Sequence, residues 1–419
     1  MSRPASLALY AAAMGAVSPL APLVLKARVV RGKEDPARLA ERSGRASHPR
    51  PQGRLIWLHG ASVGEGLSLL PLIERLRGSA PDAALLVTSG TRTSAEMLGA
   101  RLPPGAIHQY VPLDMPAAAG RFLSHWRPDL GVFVESELWP NLIAATKGSG
   151  ARLALISARM SEASQRGWRR APAAARAVLQ AFDLILAKDE PARARFEALG
   201  GNVAGLWDAK LGAPPLSADE GELAALRAAL AGRPVLLAAS THAGEEEIVL
   251  SAFARAADRS DALLIIAPRH PARGAEVMAL AEAAGLAAAR RGAGGDPGRA
   301  RVYVADTLGE LGLFFRLARV AFIGGSLVRG LGGHNPLEPA RLSCATASGS
   351  YTEHWPVYDA LRRENAVRTV TDIGELATLF SEALAERLGD LAGRGKDLAA
   401  RLDADNAAVA PRLLALIAS

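Results

Sequence analysis

Short apolar runs alternate with longer stretches of mixed polarity through the first half of the chain. The first run, RLIWLH at residues 54–59, precedes a Gly/Ser loop and a stretch with helical spacing at 67–77. Such runs are typical of strands buried in a parallel sheet, and their alternation with helices predicts a doubly wound α/β fold. Further strands of this sheet are predicted at 84–88, 130–135, 153–157 and 184–187.

The alternation stops near residue 205 and starts again at residue 235. Pro, Gly and acidic residues are more frequent in between, with Pro214 and Pro215 in the middle. The interruption predicts a linker between two Rossmann-like halves that face each other across a cleft. In open α/β sheets the ligand binds at the carboxyl ends of the strands, so the loops that follow the strands are the candidate sites. Strands of the second half are predicted at 235–239, 263–267, 301–304 and 320–323.

The pattern divides the chain into five predicted parts. The Gly-rich stretch at 288–298 is predicted to be a surface loop, and the Ala/Leu-rich residues 382–419 a long helix. The parts are a membrane anchor or interfacial helix at 1–30, an N-terminal Rossmann-like domain at 31–205, a linker at 206–232, a C-terminal Rossmann-like domain at 233–395 and a C-terminal helix at 396–419.

An uncharged, mostly apolar segment lies close to the N-terminus, at residues 6–25. About 20 such residues are enough to cross the roughly 30 Å hydrocarbon core of a bilayer. Four basic residues follow at 26–33, and basic flanks favour the cytoplasmic side. Pro19 and Pro22 make an amphipathic helix in the membrane interface an alternative. A buried helix and a cleaved signal peptide are further alternatives, although only Arg3 supplies positive charge before the segment.

The overall charge favours anionic partners, because the formal net charge is +7. Nucleic acid is not predicted as a partner, since aromatic residues make up 5% of the chain and no zinc-finger, RNP or helix-turn-helix signature is present. The single cysteine, Cys344, excludes an intramolecular disulfide. The eight histidines show no metal-binding spacing, so neither a metal nor a cofactor is predicted.

Acidic residues follow two predicted strands of the first half. Glu65 lies in a Gly/Ser loop at the start of a predicted helix, and Glu135 and Glu137 end the strand at 130–135. An acid in the first turn of a helix complements the helix dipole, whereas a carboxylate at a strand end can act as a catalytic base. The residues alone leave both interpretations open.

Basic residues follow the strand at 263–267 in the second half. Arg269, His270 and Arg273 suit an anion such as a phosphate or a carboxylate, although a solvated basic loop is the alternative.

A Gly-rich segment at 324–340 is the most specific single feature. Its Gly-Gly-Ser turn is predicted to hold a phosphate with main-chain donors. Asn335 is a predicted helix N-cap with Pro336 in the first turn, and Glu338 is placed to accept hydrogen bonds from ribose hydroxyls.

Six ordered motifs resemble one known family, the 3-deoxy-D-manno-octulosonic acid (Kdo) transferases of lipopolysaccharide assembly. They are HGASVGE at 59–65, ESELWPN at 135–141, ISARMS at 156–161, STHAGEE at 240–246, PRHPAR at 268–273 and GGSLVRGLGGHNPLEPA at 324–340. The resemblance implies a GT-B fold of two facing domains, with the acceptor on the N-terminal domain. It also implies a CMP-Kdo donor on the C-terminal domain and a lipid A precursor as acceptor, at the cytoplasmic side of the inner membrane.

The same resemblance implies roles for individual residues. Glu65 matches the family's catalytic base, and Glu135 matches a residue that stabilises the transition state. The family's linker lysine is displaced in this chain, where Lys210 is the nearest candidate. Residues expected to bind the nucleotide or its phosphate are Pro268, Arg269, Leu308, Gly309, Glu310, Gly325, Ser326, Asn335, Pro336, Leu337 and Glu338.

Two other functions remain as alternatives. A nucleotide-sugar 2-epimerase would share the two-domain architecture but needs no membrane segment. A membrane-attached nucleotide- or lipid-binding protein without catalysis is the second, because the lysine is displaced.

Overall fold

The computed structural model describes residues 4–212, 214–258 and 260–418. Residues 1–3 of the predicted anchor segment, which include Arg3, and Ser419 of the predicted C-terminal helix lie outside these ranges. The chain forms two compact units, an N-terminal unit of Met1–Ala213 with Asp403–Ser419 and a C-terminal unit of Pro214–Leu402. The last residues of the chain therefore belong to the unit that contains the first.

The N-terminal unit is built on a seven-stranded parallel sheet of order β3-β2-β1-β4-β5-β6-β7. The five predicted strands of this half are confirmed. The strands are β1 Leu55–His59, β2 Ala84–Ser89, β3 Ile107–Tyr110, β4 Leu130–Val134, β5 Arg152–Ala158, β6 Leu184–Ala187 and β7 Val203–Leu206. The helices are α1 Ala5–Val17, α2 Ala21–Val30, α3 Leu39–Arg42, α4 Val63–Ser79, α5 Arg92–Gly99, α6 Pro116–Trp126, α7 Pro140–Gly148, α8 Glu162–Trp168, α9 Pro172–Gln180 and α10 Glu190–Glu197.

Aromatic packing holds the centre of this sheet against its helices. Trp57 on β1 lies 4.9 Å from Phe122 on α6 and 5.0 Å from Phe133 on β4, measured between ring centroids. All three side chains are fully buried. Burial of aromatic side chains of this size stabilises a fold by several kcal/mol in total. The carboxyl ends of β1 and β4, from which the next loops start, are therefore held firmly.

The C-terminal unit repeats this architecture with a seven-stranded parallel sheet of order β10-β11-β9-β8-β12-β13-β14. Its four predicted strands are also confirmed. The strands are β8 Val235–Thr241, β9 Leu263–Pro268, β10 Ala288–Arg290, β11 Val302–Val304, β12 Val320–Ile323, β13 Ala345–Ser348 and β14 Arg368–Thr369. The helices are α11 Glu220–Leu230, α12 Glu245–Ala256, α13 Gly274–Ala283, α14 Leu311–Leu317, α15 Leu337–Arg341, α16 Val357–Arg363 and α17 Ile373–Leu384.

Two sequence predictions of local structure are wrong. Residues 288–298 are not only a loop, because β10 Ala288–Arg290 pairs with β11 as an edge strand. The single long helix predicted for 382–419 is instead divided into α17, α18 Leu391–Ala407 and α19 Val409–Ala415. Pro411 explains the second division, since its missing N–H and its ring cannot continue the helix from Ala407. The α19 residues Val409 and Leu413 pack in the same buried cluster as the inner face of α4.

The apolar N-terminal segment forms α1, a short 3-10 turn at Ser18–Leu20 and α2. Together, Ala5–Val30 is long and apolar enough, by length and composition, to cross a membrane. Only 11% of its most apolar window is buried, unlike the core helix of a soluble protein. One face contacts the unit, because Leu7 is buried and the Tyr10 hydroxyl donates a hydrogen bond to Asp114 Oδ2 at 3.0 Å.

Candidate active site

Glu65 lies in the first turn of α4, directly after β1. Ser62 caps this helix: its hydroxyl accepts the Glu65 N–H at 3.3 Å. The Glu65 Oε2 atom accepts the N–H groups of Ala61 at 2.6 Å and Ser62 at 3.2 Å, which completes a capping box. Gly60 allows the close return, because a Cβ there would lie 3.1 Å from the Glu65 Cβ. The helix-cap interpretation of Glu65 is therefore correct for one carboxylate oxygen.

The second carboxylate oxygen of Glu65 remains available for chemistry. Oε1 makes no hydrogen bond to any of the residues that the structure describes, and the side chain is half-buried. Burial raises the pKa of Glu65 above its usual value. The negative charge of Glu137 and, less strongly, that of Glu135 raise it further, against the two main-chain donors. A carboxylate with raised pKa is a stronger proton acceptor than an ordinary glutamate, as a general base requires.

Glu137 is held as an anion by a buried hydrogen-bond network. Trp57 Nε1 donates to the Thr88 hydroxyl at 2.8 Å, and that hydroxyl lies 3.0 Å from His59 Nδ1. His59 Nδ1 also lies 3.3 Å from the main-chain oxygen of Thr88, and His59 Nε2 lies 3.2 Å from Glu137 Oε2. Trp139 Nε1 donates to the same oxygen. Burial alone would raise the pKa of Glu137, but the bonds from His59 and Trp139 bring it below its usual value.

Glu135 follows β4 in a left-handed backbone conformation, with φ of 56°. Such a conformation is unfavourable for a residue with a side chain and is often retained where a side chain must point into a functional site. The Glu135 carboxylate lies 3.9 Å from Arg159 Nη1, which is a loose contact because the Arg159 side chain is 60% exposed. The N-terminal unit thus brings Glu65, Glu135 and Glu137 to one edge of its sheet.

Lys210 and a second lysine occupy different environments. Lys210 lies on a short 3-10 turn, is exposed and forms no ion pair with the described residues. Lys188, which sequence reasoning missed, directly follows β6 and is 14% exposed. Its Nζ lies 3.8 Å from Asp208, two positions before Lys210. In the sequence, the position of Lys188 directly after a predicted strand is the one feature that could have indicated it.

The Gly-Gly-Ser turn of the C-terminal unit does not present free main-chain donors. The N–H groups of Gly325, Ser326 and Leu327 all donate to the carboxylate of Glu245, at 2.7 to 2.9 Å. The His242 N–H donates to the same carboxylate at 3.0 Å, and Glu245 is completely buried. The prediction that these main-chain N–H groups hold a phosphate is therefore wrong, because the Glu245 carboxylate already accepts their hydrogen bonds. The Ser326 hydroxyl is also engaged, with Ile323 O and Gly349 N.

Two histidines form a contact directly beside this turn. The Nε2 atoms of His242 and His334 lie 2.9 Å apart, and the rings stack at 5.2 Å with an angle of 5°. The His270 ring is 5.9 Å from that of His242. Burial lowers the pKa of His334 to about 4, and the positive charge of the neighbouring His242 and Arg269 adds to this effect. Positively charged side chains therefore lie close to His334, although the Glu245 carboxylate is beside His242.

The two predicted arginines differ in availability. Arg273 is engaged with Glu246 at 2.7 Å and with Glu276 at 2.6 Å. Arg269, which follows the buried Pro268 at the end of β9, is exposed and forms no ion pair with the described residues. Arg269 is thus the cation of this loop that is available to a ligand.

The segment at Asn335 differs in detail from its prediction. The helix α15 begins at Leu337 and not at Pro336, and it has five residues. The N-cap is Pro336 and not Asn335 as predicted, but the Asn335 side chain accepts the N–H of Leu337, the first helical residue, at 3.0 Å and donates to Glu338 Oε1 at 3.3 Å. Burial raises the pKa of Glu338 above its usual value.

The segment 308–310 presents an exposed apolar side chain beside an ion pair. Leu308 is 81% exposed and Gly309 has a positive φ of 83°. Glu310 accepts a hydrogen bond from Arg291 Nε at 2.7 Å and one from the Thr307 hydroxyl. The Arg291 guanidinium, the largest influence, lowers the pKa of Glu310, so this side chain is an anion.

No cluster of three or more His, Cys, Asp or Glu residues that could hold a metal ion occurs within the described residues. The positive charge near the loops that are predicted to bind an anion comes from side chains, in particular Arg269.

The architecture defines the class of protein. A UDP-GlcNAc 2-epimerase from Neisseria meningitidis bound to UDP-GlcNAc has a similar fold, with a TM-score of 0.56 and 12% identity. The match covers 86% of this chain and 99% of that chain. This likeness concerns the fold alone, and with the two parallel seven-stranded sheets it places the chain in the α/β GT-B class.

Sequence relatives then give the family. A family model for 3-deoxy-D-manno-octulosonic-acid transferase (kdotransferase) matches residues 37–210. A probable mitochondrial 3-deoxy-D-manno-octulosonic acid transferase of Arabidopsis thaliana is 37% identical, over 83% of this chain and 80% of its own length. The 3-deoxy-D-manno-octulosonic acid transferase of Haemophilus influenzae is 33% identical, over 84% of this chain and 86% of its own length. The chain belongs to the Kdo transferase family of glycosyltransferases, which confirms the resemblance of the six motifs.

Proposed function

We propose that the chain transfers Kdo from CMP-Kdo to a lipid A precursor of the lipid IVA type, with Glu65 as general base. The Glu65 carboxylate is the observation that carries this proposal. Main-chain donors hold Oε2, and Oε1 makes no hydrogen bond within the described part of the chain. Burial and Glu137 raise its pKa, which favours proton abstraction near neutral pH.

Glu65 removes the proton from an acceptor hydroxyl while that oxygen attacks the anomeric carbon of Kdo. The bond between this carbon and the CMP phosphate oxygen breaks, and CMP leaves as an anion. Glu135 stabilises the positive charge that develops on the sugar in the transition state. A well-placed general base contributes about 10²–10⁴-fold to the rate of such a step.

The C-terminal unit binds the nucleotide in this proposal. Arg269 meets the phosphate, since its guanidinium has no partner within the described residues. Asn335 and Glu338 bind the ribose, and the segment 308–310 with Pro268, Pro336 and Leu337 shapes the base pocket. Side-chain cations supply the positive charge at the leaving group, so the mechanism includes no metal ion. Transfer is therefore expected to persist in EDTA.

The reaction takes place at the cytoplasmic side of the inner membrane. The apolar helix Ala5–Val30 and the four basic residues at 26–33 support this assignment. Because Leu7 and Tyr10 fasten the helix to the N-terminal unit, a position along the interface is favoured over an independent span.

Incubation of the purified protein with CMP-Kdo and a lipid A precursor tests the proposal. Release of CMP and a lipid product heavier by one or more Kdo residues are expected. In a parallel incubation with a UDP-sugar, conversion to the 2-epimer, together with no lipid product in the first incubation, would favour the epimerase alternative. Binding of CMP without release or transfer would favour a binding protein that lacks catalysis.

A further inference from the structure

A cavity of about 530 Å³ lies in the N-terminal unit beside α2. This volume is within the range of about 300–1,000 Å³ that is typical of ligand sites. One wall is the apolar helix, with Leu20, Ala21 and Val24, and the opposite wall is formed by the chain after β1, β2 and β3, including Ala61 and Gly90. We refer to this cavity as the helix groove.

The helix side of the groove exposes large apolar side chains. Val17, Leu20 and Val24 are 44%, 57% and 58% exposed. Full burial of such a side chain is more favourable than its exposure to water by about 1.5–3 kcal/mol. Contiguous exposed apolar side chains next to a cavity mark a binding surface for an apolar group.

The charged residues that line the groove are already paired. Arg28 and Arg42 both donate to the carboxylate of Glu34, at 2.8 and 3.0 Å. Glu34 and Arg42 are buried, and the two guanidiniums share one carboxylate, so this cluster keeps a net positive charge. The guanidinium groups of this cluster bond to Glu34 and Val111 within the protein, and the rest of the lining is mostly apolar, which favours a hydrocarbon chain as the occupant.

The lining of the groove includes residues that bond to the candidate base and to its neighbour Glu137. Ala61, which lines the groove, donates its N–H to Glu65 at 2.6 Å. Trp139 also lines the groove, and its Nε1 donates to Glu137. A hydrocarbon chain in the groove would therefore bring a sugar attached to it next to the Glu65 carboxylate.

We propose that the helix groove holds an acyl chain of the acceptor glycolipid and so positions its sugar hydroxyl at Glu65. The inference rests on the proposed function, because that function names an acylated glycolipid as the acceptor. The groove lies between the apolar helix Ala5–Val30 and the loop that carries the base. A site for ordinary membrane phospholipid would not need to lie beside the base.

Two tryptophan substitutions on the same helix test this assignment. Val24 lines the groove, whereas Leu23 is 64% exposed and is absent from its lining. Val24→Trp fills the groove, and Leu23→Trp is the matched control that introduces the same side chain at the neighbouring position. Ala21→Phe, also in the lining, gives a second groove variant if Val24→Trp fails to fold.

Equilibrium binding to the full chain in mixed micelles is measured for a lipid A precursor and for the same disaccharide without acyl chains. We expect Val24→Trp to raise the Kd for the acylated acceptor at least about 10-fold and to leave the Kd for the deacylated disaccharide unchanged. Equal behaviour of Val24→Trp and Leu23→Trp would overturn the inference. So would competition by phospholipid of matched chain length that is as strong as competition by the unlabelled acceptor.

Binding does not require transfer, so the two proposals fail separately. A wild-type protein that binds the acylated acceptor through the groove but releases no CMP would refute the proposed reaction alone. A protein that transfers Kdo with the same KM in Val24→Trp and Leu23→Trp would refute the groove alone.

Discussion

His59 Nε2 lies 3.2 Å from Oε2 of Glu137, and this contact keeps a negative charge beside the candidate base. The bonds from His59 and Trp139 oppose burial and keep the pKa of Glu137 low, so Glu137 is ionised at neutral pH. Its charge in turn raises the pKa of Glu65. The network therefore sets the proton affinity of Glu65 without touching the reacting atoms itself.

Glu137→Gln is expected to shift the pH dependence of transfer. Glu65 acts in its deprotonated form, so activity is lost as the pH falls through its pKa. Removal of the Glu137 charge lowers that pKa, and the acid limb of the kcat/KM profile should move to lower pH. The profile of Glu74→Gln, an exposed change on the same helix, serves as the control. An unchanged acid limb in Glu137→Gln would show that the two carboxylates are not coupled.

Glu245→Ala is expected to destabilise the C-terminal unit by at least about 3 kcal/mol. It leaves four main-chain N–H groups without their acceptor, and each buried unsatisfied donor costs roughly 1–3 kcal/mol. Hydrogen exchange of the amides in β8 and β12 measures this unit separately from the other. The exposed Glu247→Ala is the control and should change stability by less than about 0.5 kcal/mol. Equal exchange rates in both variants would contradict the structural role of Glu245.

The stability of the C-terminal unit should fall as the pH decreases from about 6.5 to about 4. Burial, with His242 and Arg269, lowers the pKa of His334 to about 4, whereas an unfolded histidine has a pKa near 6.5. Between these values the unfolded chain binds more protons than the native one, so lower pH favours unfolding. His270 and His354 add positive charge nearby in the same direction.

His334→Gln, which keeps a neutral hydrogen-bonding side chain, should flatten this pH dependence. Hydrogen exchange or thermal unfolding at pH 7 and pH 4.5 provides the measurement. A wild-type stability that is equal at both pH values would show that His334 is protonated as easily in the folded protein as in the unfolded chain.

Membrane association should depend on exposed apolar residues of the N-terminal helix. Leu9 and Leu23 are 72% and 64% exposed, so a Leu9→Glu, Leu23→Glu double variant should fold normally and move to the soluble fraction. Leu308→Glu changes a leucine of the C-terminal unit that is even more exposed, at 81%, and should leave the distribution unchanged. Vesicle flotation measures the difference, and equal flotation of both variants would argue against this helix as the membrane contact.

The central strands could be predicted from the sequence, because their burial requires a continuous run of apolar residues. β1 and β4 lie in the middle of their sheet and read as continuous apolar runs, so both were predicted. β3, with His108 and Gln109, and β7, with Gly205, are at the sheet edges and lack such runs. Edge strands are covered on fewer sides, so their sequences need not be apolar throughout.

The candidate site was predictable in position but not in its internal bonding. Glu65 could be found because a Gly/Ser loop after a strand is a local signal. The partner of the Gly-Gly-Ser turn could not, since Glu245 is 80 residues before Gly325 and nothing local shows that it points to the turn. The contact of Lys188 with Asp208 was missed for the same reason.

Transfer by Glu65→Gln compared with wild type tests the central claim most directly. Gln keeps a hydrogen-bonding side chain at the third position of the helix, so the capping box and the fold should persist. The account predicts a fall in kcat of at least about 100-fold, with unchanged affinity for CMP and with wild-type activity in the exposed Glu74→Gln control. Near wild-type transfer by Glu65→Gln would contradict the assignment of Glu65 as the base.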